Sequence, residues 1–298
     1  MEGSYPNELR LWETPATAIA ADVPPSMNGR AISAPHGPAE FAERLYAWEA
    51  LNVAASDLAA EEATEAYSLQ WFLNIENHRH SRHGRWIPRL LEFAKHGNET
   101  LLGLGNGLGT DWLQYARHGA DVVVCSPSAE QLGLIRRNFE LRGLGGRFVH
   151  SPPASLPLEG ASIDVACLSS LLHEVADPQP VIQEVYRVLK PGGKVLAVTS
   201  ARHDIDFWLR VCYPWQRWLP RKAAQADRNA GGFSARRLRK LFAPFVEHRV
   251  YKRQLRRSEV PHLWRWVPLP LLERLAGHFL VLKAFKPLSS AITLQAAA

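Results

Sequence analysis

The chain is expected to fold as an α/β protein, a mostly parallel sheet with helices on both faces, and three observations predict this. Between about residues 100 and 200, short apolar runs alternate with amphipathic helical stretches. Runs without polar alternation are those of strands buried on both faces. The first run ends in a glycine-rich turn that opens directly into a helix, Gly103-Leu104-Gly105-Asn106-Gly107-Leu108-Gly109-Thr110-Asp111. A third signal, Pro191-Gly192-Gly193, reads as the stop of the last helix before the final run of this region.

Taken in order, residues 1–39 are rich in Ala and Pro with little periodicity and read as an irregular arm. Residues 40–98 read as a helical cap. Phe41, Leu45, Trp48, Leu51 and Leu58 are spaced for one face of a helix spanning 38–74, and a second short helix is expected over 88–95, where proline is tolerated in the first turn. The core, 99–200, supplies strands at 101–104, 122–125, 148–149, 163–168 and 194–199, with helices at 110–117, 129–141 and 178–189. Residues 201–287 read as the C-terminal part of the same domain. An aromatic helix is expected at 207–218, a basic helix at 234–241 with Ser234 as N-cap, a strand at 245–251, a helix at 269–275 and a last strand at 279–285. Residues 288–298 are a tail.

Composition narrows the function classes. The 298 residues, 46% hydrophobic, can bury one large core. Cys125, Cys167 and Cys212 are widely spaced, which excludes a disulfide scaffold and a cysteine–zinc site. The opening MEGSYPNELRLWETP lacks the basic flank and apolar run of a secretion signal, and no 18-residue apolar span follows. A cytoplasmic protein is the expectation, with peripheral membrane contact as the alternative. Charge is uneven: residues 1–200 carry 16 Lys/Arg against 23 Asp/Glu, and residues 201–298 carry 19 against 6. A basic third that also holds Trp208, Trp215, Trp218, Trp264 and Trp266 suits an apolar substrate, a membrane surface or a protein partner. No nucleic-acid-binding signature accompanies it, so nucleic acid is the weaker choice.

Glycines 105, 107 and 109 let the chain turn sharply and approach a ligand where a Cβ would collide, with helix amides facing that ligand. The spacing is neither the GxGxxG dinucleotide pattern nor a GxxxxGK[ST] phosphate loop. A tight structural turn is the alternative, and the strand–helix context favours a cofactor site over it.

With its surroundings, the loop resembles motif I of the class I S-adenosylmethionine-dependent methyltransferases. The stretch Leu156-Pro-Leu-Glu-Gly-Ala-Ser-Ile-Asp164 resembles the family's segment before strand four, Leu171-Leu172-His173-Glu174 the segment after it, and VIQEVYRVLKPGG at 181–193 is the most specific match. The likeness continues through 232–242 and PLPLLERLAGHFLVLKAFKP, covering nearly all of 67–287. It implies a Rossmann-like, seven-stranded, mostly parallel sheet with helices on both faces and an antiparallel last strand.

The resemblance also implies a site. S-adenosylmethionine would be lined by Gly103, Gly105, Asn106, Gly107, Gly109 and Thr110 of the loop. Ser126 and Pro127 after strand two, Pro152 after strand three and Ser169 after strand four would complete the lining. His173 is the candidate catalytic group, with the ordinary imidazole pKa of ~6.5 suited to proton transfer. Tyr67, Trp71, His78 and Trp208 are the candidate substrate contacts, for a small apolar or aromatic acceptor. His78, His80 and His83 form a polar cluster without HExxH or a fixed third ligand, so no metal is expected.

The chain departs from the family at three acidic positions. Gly103 stands where motif I has an acid, Ser126 where a carboxylate takes the ribose hydroxyls, and Pro152, in Ser151-Pro152-Pro153, where an acid addresses the adenine amino group. Asp111 is the one nearby acid that could compensate. Two functions are therefore carried forward: methyl transfer, and a non-catalytic binding or partner-stabilising protein, a pseudoenzyme, whose hold on the cofactor is weak or lost.

Overall fold

The computed structural model describes residues 67–82, 84–212 and 232–288. The arm at 1–39, most of the expected helix at 38–74, the latter half of the aromatic helix at 207–218, and His83, Trp215 and Trp218 lie outside the described residues.

The apolar runs form seven strands: β1 Thr100–Gly105, β2 Asp121–Ser126, β3 Arg147–His150, β4 Ile163–Ser169, β5 Leu189–Ser200, β6 Val246–Arg253 and β7 Phe279–Phe285. They assemble in the order β3-β2-β1-β4-β5-β7-β6. The first five are parallel, and β7 runs antiparallel to both β5 and β6. The fold is the Rossmann-like seven-stranded sheet that the sequence predicted, with β1 in its interior.

Strand alternation divides the core between two faces. Leu102, Leu104, Val123, Cys125, Ala166 and Leu168 point to the face covered by α5 (Gln179–Val188) and α7 (Ala235–Leu241). Leu101, Val122, Val124, Val165 and Cys167 point to the other face. That face is covered by α2 (Trp86–Leu91), α3 (Thr110–Arg117) and α4 (Ala129–Glu140). The remaining α-helices among the described residues are α1 (Leu69–Asn77), α6 (Ile205–Cys212) and α8 (Leu269–Ala276). Ser234 caps α7 by accepting from the Arg237 amide at 3.2 Å, as its side chain predicted.

Two boundaries differ from expectation. The helix expected over 88–95 is broken at Glu92, whose backbone is left-handed (φ +59°). Its carboxylate meets Lys194 at 2.7 Å and Lys283 at 3.0 Å, so ion pairs across the sheet hold the break. Burial opposes ionisation of Glu92, but the two lysines outweigh it and hold the carboxyl down at about 2. Pro191-Gly192-Gly193 lies inside β5, whose start was expected only at 194. Helix α5 ends at Val188, and Leu189 already pairs with Ile163. The prolyl-glycyl segment forms a β5 irregularity, where the Gly192 amide (φ +79°) donates to Lys286 at 2.9 Å.

Beside the start of β7, His278 bridges two carboxylates, Nδ1 to Asp204 at 3.3 Å and Nε2 to Glu259 at 3.4 Å. Burial lowers this imidazole's pKa, but the two carboxylates outweigh burial and raise it to about 9. A raised folded-state pKa contributes stability that is full below 6.5 and is lost as pH rises through about 9. Urea unfolding should therefore lose on the order of 2 kcal/mol across that window. The His278→Gln protein should lack that slope; an unchanged slope would remove the ion triad from the account.

Candidate active site

The glycine turn joins β1 to α3 at the edge of the sheet where β2, β4 and β5 also end. Gly105 (φ +135°) packs against the next strand so closely that a Cβ would lie 1.8 Å from the Ser169 carbonyl oxygen. The Asn106 amide donates to that same carbonyl at 3.0 Å. Gly109 (φ +76°) leaves room for Ile135, whose Cγ2 would be 2.7 Å from an added Cβ. Close packing alone thus requires two of the three glycines. Thr110 and Ser169 are buried here.

At Gly103 the vacancy is filled. An added Cβ would meet the Trp112 ring at 2.7–2.9 Å, and the buried indole donates from Nε1 to the Cys167 carbonyl at 3.3 Å. No side chain longer than hydrogen can stand at 103 while Trp112 keeps this place.

Ser126, at the end of β2, is engaged within the protein. Its hydroxyl donates to Gln131 Oε1 at 2.6 Å and accepts from the Ser128 amide at 3.1 Å. Gln131 Nε2 donates to the carbonyls of Gly105 at 3.0 Å and Gly107 at 2.9 Å. Both side chains are buried, and this network pins the glycine turn to β2. The sequence held a signal for Gln131, because Ser128-x-x-Gln131 has capping-box spacing and Ser128 does cap α4. The glutamine turns to the glycine loop instead of completing the box.

Beyond β3, Pro152 is exposed, while Ser151 Oγ is buried without a hydrogen-bond partner among the described residues. Pro127 is exposed, and its carbonyl lies 2.9 Å from His150 Nε2.

Asp111 does not compensate for the missing acids. Its carboxylate receives Arg79 Nε at 2.7 Å and Nη2 at 2.5 Å, and His80 Nε2 lies at 3.1 Å. Burial alone would raise its pKa; Arg79 and then His80 hold the carboxyl well below the usual range instead. Arg79 and His80 sit on a π-helical turn, His78–Arg82, so His80 serves this pair and not a histidine cluster. A carboxylate does reach the loop from elsewhere: Glu174, after β4, accepts a hydrogen bond from Asn106 Nδ2.

His173 sits between Ser170 Oγ and Thr199 Oγ1, each at 3.3 Å from one ring nitrogen. Burial pushes its pKa down to about 4, well below the ordinary value expected from sequence. At neutral pH it is an uncharged imidazole, a hydrogen-bonding group and a poor base.

Tyr67 and Trp71 stack edge to face at 5.3 Å, and Trp71 packs with Leu134 on Phe72, Ile75 and Leu108 of the glycine loop. His78 ends α1, its amide donating to Asn74 and Ile75 carbonyls. Trp208 is not in this group. It stands on α6, its Nε1 donating to the Leu275 carbonyl at 3.2 Å. Trp266 is 82% exposed and Trp264 half-buried, so the basic aromatic region presents some of its tryptophans to solvent. Asp204, Asp206 and His278 bring one ligand atom each within 4.8 Å of one another. Two of the three, Asp204 and His278, are already paired with each other at 3.3 Å. Among the described residues no helix is long and apolar enough to cross a membrane.

Residues 101–197 match the sequence family described as "Methyltransferase domain". The chain is 28% identical over 136 residues to the demethylmenaquinone methyltransferase of Paenarthrobacter aurescens, covering 45% of this chain and 52% of that protein. It is 30% identical over 122 residues to the ubiquinone biosynthesis O-methyltransferase of Ruegeria pomeroyi, covering 40% and 48%. The chain thus spans about half the length of the curated relatives it matches. In structure it is similar to a SAM dependent methyltransferase from Aquifex aeolicus, with a TM-score of 0.51 at 13% identity over 73% of this chain and 98% of that one.

Proposed function

We propose that this chain, which belongs to the class I S-adenosylmethionine-dependent methyltransferase family, transfers a methyl group from that cofactor to a small apolar or aromatic acceptor. The observation that carries the reading is the glycine turn at the end of interior strand β1. Its backbone swings through positive φ at Gly105, Gly107 and Gly109 and delivers the first amides of α3 to the mouth of the sheet. Relatives named for demethylmenaquinone and ubiquinone biosynthesis support an acceptor of apolar, aromatic character.

The residues present fit the cofactor through backbone and neutral groups. The turn offers backbone amides at the start of α3, and the Ser151 hydroxyl offers a polar contact beyond β3. When bound, the cofactor supplies an electrophilic methyl group on a sulfonium. The chain's own contribution is alignment and exclusion of water. Tyr67 and Trp71 cover the loop through Leu108, Glu174 places negative charge beside Asn106, and neutral His173 holds Ser170 and Thr199 at the mouth of the sheet.

A second reading, a non-catalytic binding protein on the same fold, is favoured by one specific set of contacts. Trp112 fills the place of an acid at 103, Ser126 spends its proton on Gln131, and Pro152 offers no acceptor. A charge-assisted hydrogen bond contributes roughly 1.5–3 kcal/mol. Losing ~3 kcal/mol in total weakens affinity more than about 100-fold. Calorimetric titration with S-adenosylmethionine and S-adenosylhomocysteine decides between the readings. We expect binding at least about 100-fold weaker than that of an acid-bearing relative titrated alongside. Micromolar binding would sink the weakened-site account. No binding at millimolar ligand, by a protein that melts cooperatively, would leave the binding-protein reading standing.

A further inference from the structure

A cavity of about 630 Å³ opens at the same edge of the sheet but on the β5–β7–β6 side, with β4 and β5 between it and the glycine turn. One part of its wall is apolar, with Trp208, Phe233 and Leu280 among the lining. The other part is cationic, formed by Lys252, Arg253 and Arg274, and among the described residues no carboxylate-bearing side chain lines it. That size suits a small organic ligand, and an apolar body with a few convergent polar groups is the usual build of such a site.

The cations differ in what holds them. Lys252 Nζ donates to the carbonyls of His203 and Leu275, leaving the third of an ammonium's donors for a ligand. Burial, opposed by Asp204, brings this amine down to about 8, so it is still charged at neutral pH. Arg253 leans on Glu273 at 3.8 Å. Arg274 is exposed on α8 and makes no ion pair among the described residues.

We infer that this cavity is a binding site for a small aromatic or apolar molecule carrying one acidic group, its body against Trp208 and Phe233 and its anion at Lys252 and Arg274. Charge complementarity carries the assignment, because Lys252 and Arg274 face an apolar wall and no carboxylate-bearing residue is among the described residues of the lining. The site requires no step of methyl transfer and is tested without cofactor.

The probes are 2-naphthoate and its neutral near-isostere 2-naphthamide, titrated calorimetrically against the full chain at low and high salt. The carboxylate is expected to bind at least about tenfold more tightly than the amide, an advantage that shrinks with salt. Arg274→Gln, a surface change that leaves the fold intact, should weaken naphthoate at least about threefold and leave naphthamide unchanged. Trp208→Ala, with its melting checked, should weaken both. Equal binding of the two probes would overturn the inference. So would indifference to both substitutions, or no binding at millimolar naphthoate by folded protein. Because S-adenosylhomocysteine is titrated separately, a dead cofactor site and a wrong assignment of this cavity give different results.

Discussion

Replacing Asp111 with alanine is expected to cost about 3–5 kcal/mol of folding free energy, the range seen when one partner of a buried ion pair is removed. Arg79 is 1% exposed and Asp111 3%. The guanidinium reaches the carboxylate through two nitrogens, a paired geometry that a lysine or an amide cannot reproduce. Alanine would leave the Arg79 charge in the interior without its carboxylate. Asp111→Asn should cost less, since it keeps the shape and one acceptor. The pair also ties the turn at His78–Arg82 to α3 and so holds α1 over Leu108 of the glycine loop. Loosened proteolytic protection near residue 70 should accompany the loss. Because the folded carboxyl is depressed, its contribution is full above the unfolded value of ~3.9 and is lost as pH falls below it. Urea denaturation of wild-type and variant at pH 7 and pH 3.5 measures both effects. A loss under about 1 kcal/mol at pH 7 would place the pair among the weak surface bridges.

The second large effect concerns Gly103. Restoring the acid there, Gly103→Asp, should destabilise the protein by at least about 3 kcal/mol, because it overpacks the core and buries a charge. The added Cβ alone would stand 2.7 Å from the Trp112 ring, and that ring is fully buried between β1 and α3. Removing the obstacle in the same molecule, Gly103→Asp with Trp112→Ala, should recover part of the loss relative to the sum of the single changes. A coupling of at least about 1 kcal/mol is expected for residues in direct contact. The double variant should also bind S-adenosylmethionine more tightly than Trp112→Ala alone. Unfolding and calorimetry on the four proteins of this cycle provide the measurement. A Gly103→Asp protein as stable as wild-type would show that Trp112 does not own this space.

By itself the sequence determined the sheet and its helices. Apolar runs without alternation became β1, β2, β4 and β5, and 110–117 was legible as a helix to the residue. Ser234 could be read as a cap because capping is a bond between residues three apart. The glycines at 105 and 109 were legible as places where a Cβ cannot go. What only the tertiary structure decided is which neighbour occupies each such place. Trp112 lies nine positions from Gly103, Gln131 reaches back 26 residues to the Gly105 carbonyl, and Arg79 reaches 32 residues forward to Asp111. None of these partners shares a local period, so no pattern along the chain joins them. The break at Glu92 has the same origin, since its lysines come from β5 and β7. Backbone preference is set by each residue and its near neighbours, whereas the filling of a vacancy or the neutralisation of a buried charge is set by whatever the folded chain brings within a few ångströms.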